Sequence, residues 1–69
     1  MGWRRNEKEV VLTDGVVEFG TEKAILIDSP WTEEPVWLPR SQIVAQYLIG
    51  IGVWEFIITE WIAGKNGIT

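Results

Sequence analysis

Residues 9 to 13, Glu-Val-Val-Leu-Thr, form an apolar, β-branched run too short for a helix, and that pattern predicts a strand. Asp14-Gly15 follows, a dipeptide whose tolerance of positive φ makes it a strong hairpin signal. Val-Val-Glu-Phe-Gly (16–20) and Lys-Ala-Ile-Leu-Ile-Asp-Ser (23–29) continue in the same style. Three short strands joined by tight turns are therefore expected, an antiparallel meander. Pro30 and Pro35 bracket a polar loop. Val36-Trp37-Leu38 resumes as strand and ends at Pro39, which has no N–H to give to a ladder. Pro39-Arg40-Ser41-Gln42 reads as a single 3₁₀ turn, with Ser41 able to bond nearby backbone.

Residues 43–58 pose a choice between one buried helix and two strands. Gly50 and Gly52 would each cost a helix about 1 kcal/mol. Trp54, Phe56 and Ile58 alternate with Glu55 and Ile57, a period of two that favours strand. Two strands are expected, 43–49 and 53–58. Thr59 then suits an N-cap for a short helix Glu60–Lys65, with an acid in its first turn and a base in its last. Asn66-Gly67 supplies the stop. Trp61 and Ile62 are expected to cover one end of the sheet, and Trp54 and Trp61 to lie in the core. Trp37, out of phase with Val36 and Leu38, should face outward. The expected fold is mainly β: a small SH3-like antiparallel barrel or meander of about five strands with a short C-terminal helix. Residues 1–69 make one domain, with 1–8 as an arm that carries Trp3.

Composition changes this picture in two ways. A 69-residue chain buries only about 60% of its unfolded surface and needs help to be stable. With no Cys and no His, disulfides are excluded and the Ser-His and Cys-His nucleophile pairs cannot form, so no cofactor and no enzymatic activity are expected. No phosphate-binding glycine loop is present, and solvated acids such as Asp28, Glu33 and Glu34 are a poor cation site. What remains is dense aromatic packing or oligomerisation, and five Trp suit both.

Charge divides the chain unevenly. Residues 14–34 carry a net −5 and residues 1–9 a net +1, while the rest is neutral. The acidic middle repels phosphate backbones, which weighs against general nucleic-acid binding. Residues 47–64 are long enough for a membrane span, but Glu55 and Glu60 each cost about 2.5 kcal/mol or more near a bilayer centre, so no membrane is expected. The first ten residues are basic without an apolar stretch behind them, so no secretory leader is expected either.

Three stretches carry a resemblance: Lys-Ala-Ile-Leu-Ile (23–27), Trp-Leu-Pro-Arg-Ser-Gln-Ile-Val (37–44) and Ile-Thr-Glu-Trp-Ile-Ala-Gly-Lys-Asn-Gly (58–67). In order and spacing they resemble a group of short, largely uncharacterised bacteriophage and mobile-element proteins. That group's pattern runs K-A-[IL]-L-[VI], W-[LI]-P-[KR]-S-Q-[IV], then a closing W-[LI]-A-x-K-x-G helix. The resemblance implies a phage- or prophage-type protein of the host cytoplasm and brings no activity with it. Where the pattern would have a short polar hairpin, this chain has Ala45-Gln46-Tyr47-Leu48-Ile49-Gly50-Ile51-Gly52-Val53-Trp54-Glu55-Phe56. That apolar departure suggests a self-association surface.

The leading expectation is a non-catalytic protein-binding module, an anti-defence or anti-CRISPR-like inhibitor of a host protein or nucleoprotein. Partner binding is assigned to Trp31, Glu33, Glu34, Trp37 and Arg40, and self-association to Tyr47, Ile49 and Ile51. Exposed Trp and Arg are frequent interface anchors. The alternative is a single-stranded nucleic-acid-binding accessory factor of phage replication or recombination, stacking bases on Trp3 or Trp37 beside arginines. A third reading is an oligomeric structural component.

Overall fold

The computed structural model describes residues 8–68. The arm expected over 1–8, with Trp3, lies outside the described residues apart from Lys8. Five antiparallel strands form one sheet: β1 (Glu9–Gly20), β2 (Ala24–Asp28), β3 (Val36–Pro39), β4 (Ile43–Gly50) and β5 (Val53–Thr59), followed by helix α1 (Glu60–Lys65). Their spatial order is β3-β2-β1-β5-β4. The protein is mainly β, with two strands in 43–59 as the alternation required. The sheet is not closed, because β3 and β4 stay as its two edges, so the barrel expectation gives way to an open sheet.

Asp14-Gly15 is not a hairpin turn. The two runs read as separate strands are one twelve-residue strand, β1, and Asp14 sits within it at φ 57°. A hairpin there would pair 9–13 with 16–20, and each half finds another partner. Residues 9–15 run against β5, with Leu12 opposite Phe56 and Gly15 opposite Trp54. Residues 16–20 run against β2, with Val16 opposite Asp28. Two residues on β1, Thr13 and Asp14, oppose Glu55 alone, which is a β-bulge, and bulges bend a strand. The bend passes β1 from one half of the sheet to the other.

Gly15 is what lets the bend close. A Cβ at Gly15 would stand 3.0 Å from Phe56 Cε2 and 3.1 Å from Ile27 Cγ2. Around this point lie the largest fully buried side chains, Phe56, Leu12, Ile27, Leu38 and Ile58, contributed by four of the five strands. Ile62, Ala63 and the post-helical Ile68 cap the cluster. Trp54 joins it from the edge, partly buried, its ring 6.4 Å from that of Phe56.

Thr59 caps α1 as its position predicted, its hydroxyl accepting from the Ile62 N–H at 3.3 Å. The other end closes through Gly67 at φ 72°: its N–H donates to the Gly64 carbonyl and the Ile68 N–H to that of Ala63. This is the Schellman pattern, and it folds Ile68 back into the core. Trp61 corrects the sequence expectation. It is 60% exposed, with the Lys65 ammonium 5.0 Å over its ring, while Ile62 and Ala63 take the core face.

Candidate functional site

The stretch from Trp37 to Val44 shows how the candidate residues are held. Pro39 ends β3 at φ −60°, ψ 133°, and Arg40–Gln42 turn through one 3₁₀ unit into β4. Pro39 stands at the N-cap of that turn and no side-chain hydrogen bond caps it. The turn is instead tied down by Arg40. Its backbone N–H donates to the Lys23 carbonyl at 2.8 Å and its Nε to the Thr21 carbonyl at 3.0 Å. Both acceptors lie in the β1–β2 connection, which Thr21 itself organises: its hydroxyl donates to the Ala24 carbonyl and accepts from the Ala24 N–H. Gln42 holds the other side, its Oε1 accepting from the Thr59 hydroxyl at 2.6 Å. The corner is thus clamped to a hairpin and to the start of α1.

Trp37 faces outward, as its phase required. Its strand neighbours Val36 and Leu38 sit opposite Ile27 and Ile25 on the core side, while Trp37 sits opposite Leu26. Leu26 in turn sits opposite Phe19. The three side chains make a row across β1, β2 and β3 on the outer face. Trp37 is 46% and Phe19 60% exposed, and their rings meet edge to face at 6.3 Å. Val16 and Asp28 extend the same face by one further pair.

Phe19 was missed at the sequence level because alternation places it with Val17. The register shift between Val17 and Phe19 breaks that phase: Val17 lies opposite buried Ile27, Phe19 opposite outward Leu26. Glu18 is the extra residue. The only local hint was an aromatic next to a glycine at a strand end.

Trp31, Glu33 and Glu34 occupy a different place, the loop between β2 and β3. Trp31 is 61% exposed, and both glutamates are exposed. The loop's anchor is Ser29, the buried polar residue of the described chain. Its hydroxyl donates to the Thr13 carbonyl and accepts from the Trp31 N–H, while its carbonyl accepts from the Thr32 N–H. Trp31, both glutamates and Val36 face Asn66 and Gly67 across a cleft of about 380 Å³. The structure therefore divides the predicted set in two. Trp37 and Arg40 belong to the strand corner, Trp31, Glu33 and Glu34 to the loop cleft by the helix end. Asp28, Glu33 and Glu34 do not gather: among the described residues no three acidic side chains come together to hold a metal ion.

Tyr47, Ile49 and Ile51, the residues assigned to self-association from the sequence, sit together at the far end of β4 and its turn into β5. Tyr47 is 52%, Ile49 50% and Ile51 101% exposed, with Leu48 beside them at 60%. Exposed Trp61 adds a second overlooked surface, a groove of about 510 Å³ that it lines with Val44, Thr59, Glu9 and Lys8. Its signal was present in the sequence. Residues four apart share a helix face, so a solvated Lys65 takes Trp61 with it.

No helix among the described residues is long and apolar enough to cross a membrane. Comparison with protein-family models, curated proteins and solved structures finds no match to this chain.

Proposed function

We propose that this chain is a non-catalytic, phage-type protein-binding module of the host cytoplasm that engages or inhibits a host protein or nucleoprotein, in the manner of an anti-defence, anti-CRISPR-like factor. The observation that carries the reading is the outward row Phe19–Leu26–Trp37. Its aromatics are held by packed strands rather than by a mobile loop, so a partner meets them already ordered, and pre-ordering lowers the cost of binding. Acids frame the row, with Glu18 at the bulge and Asp28 on the same face. The matching partner has an apolar centre and a basic rim. Arg40 serves mainly as the clamp of the corner, leaving its outer guanidinium N–H groups as a secondary contact. The absence of His and Cys supports a binding role over a catalytic one.

The test is capture of partners from host lysate by the tagged protein, with and without nuclease, beside Phe19→Ala and Trp37→Ala. Phe19 is the cleaner probe because it is mostly exposed and its truncation leaves the core intact. Nuclease-resistant capture of a defined protein, lost in both variants at unchanged circular dichroism, is expected. Undiminished capture by folded variants refutes the row as the site. Nuclease-sensitive capture would instead favour the single-stranded nucleic-acid reading.

A further inference from the structure

The two edges of the sheet are not equivalent. β3 is four residues long, with Pro35 just before it and Pro39 as its last residue. Proline offers no N–H, and a short, proline-marked edge is how sheets discourage further pairing. β4 is neither short nor marked by proline, and its two register shifts against β5, at Val44 and Ile49, leave Ala45–Leu48 as a regular stretch between them. The strand is eight residues long, and from Gln46 to Gly50 every residue is exposed. Between Arg40 and Glu55 the chain carries no charge at all. An open, apolar, uncharged edge strand presents free backbone donors and acceptors to another strand.

Charge selects the occupant. The net −5 of residues 14–34 lies in the bend of β1, in β2 and in the loop after it, whereas β4 is neutral. A basic partner gains nothing at a neutral strand and is drawn to the acidic half. A second copy of this chain, itself at −4, is repelled at that half and meets no like charge along β4. Antiparallel pairing of a strand with its own copy is self-complementary and closes on a two-fold axis, so no open filament follows.

We infer that β4 is the dimer interface of this protein, pairing antiparallel with β4 of a second copy about a two-fold axis near Tyr47 and joining the two sheets into one. In that register Tyr47 meets its own copy and Leu48 of one protomer faces Gln46 of the other, within the regular Ala45–Leu48 stretch. This surface is separate from the Phe19–Trp37 row, so either can fail without the other.

Sedimentation equilibrium of the full chain from low micromolar to several hundred micromolar reads the stoichiometry. A monomer–dimer equilibrium is expected. Tyr47→Lys places two ammonium groups at the axis and should shift that equilibrium to monomer at unchanged circular dichroism. A second readout does not depend on that variant's folding. The chain has no cysteine, so Tyr47→Cys reports its own neighbour and should oxidise rapidly to a disulfide-linked dimer, while Glu22→Cys on the acidic hairpin should not. A wild-type monomer throughout the range, a trimer or larger closed assembly, or equal cross-linking at both cysteines would overturn the inference.

Discussion

Replacing Gly15 by Ala puts one methyl group where the fold turns most sharply. That carbon would lie 3.0 and 3.3 Å from two carbons of the Phe56 ring and 3.1 Å from Ile27 Cγ2. Unstrained carbon contacts lie about 3.5–4.0 Å apart, so each pair must open by roughly 0.2–1 Å. Neither neighbour has room to give way, since Phe56 and Ile27 are both 0% exposed. Over-packing of a closed core costs about 1–3 kcal/mol. Against this, alanine narrows the unfolded ensemble and returns about 0.4–1 kcal/mol. The two ranges combine to a net loss of about 0–2.6 kcal/mol, and the three contacts at or below 3.3 Å favour its middle, about 1.3 kcal/mol. For a domain of this size that lowers the melting temperature by about 5–10 °C. Urea and thermal unfolding, followed by circular dichroism and tryptophan fluorescence, measure it. Gly20→Ala is the control: its nearest contact is the flexible end of Arg40 at 3.2 Å, and its change should stay within about 0.5 kcal/mol. A Gly15→Ala protein as stable as wild type would refute the placement of the bend against Phe56.

Three further substitutions test other joints. Thr59→Ala removes the cap on α1 and the partner of Gln42, and should cost about 1–2 kcal/mol in denaturant unfolding. Ser29→Ala strips the loop of its anchor; a loss of about 1–2 kcal/mol is expected, with faster hydrogen exchange at the Trp31 amide that the hydroxyl had accepted from. Trp61→Ala should cost under about 1 kcal/mol, as befits an exposed side chain, whereas its buried neighbour Ile62→Ala should cost about 2–5 kcal/mol.

The parts of the fold legible in the sequence are those fixed by near neighbours. The alternation Trp54-Glu55-Phe56-Ile57-Ile58 decides strand over helix because a strand with one face on the core buries every second residue whatever lies across the chain. Thr59, Asn66 and Gly67 mark the ends of α1 because caps are satisfied within a few residues. Asp14-Gly15 was misread for the opposite reason. A residue at positive φ followed by glycine serves a tight turn and a bulge equally well, and the choice rests on which strands lie alongside. Here β5 lies against one half and β2 against the other, and both come from later in the chain. The closing of the sheet was out of reach on the same ground, since whether β3 and β4 meet depends on the accumulated bend.

The site divides along that line as well. Trp37 could be placed outward from its own strand, because Val36 and Leu38 on either side claim the core. Its companion Phe19 could not, since a one-residue bulge reverses the face of every side chain beyond it. Arg40 was named for its chemistry, and the structure gives it a prior obligation to the Thr21 and Lys23 carbonyls. Lysine at that position keeps the charge but has no Nε–H beside a planar fork, so it cannot hold the corner in the same way. The turn that interrupts the apolar stretch is therefore structural first. By fastening β3 to the β1–β2 hairpin it also fixes the strand on which Trp37 meets Phe19, so the corner and the aromatic row stand or fall together.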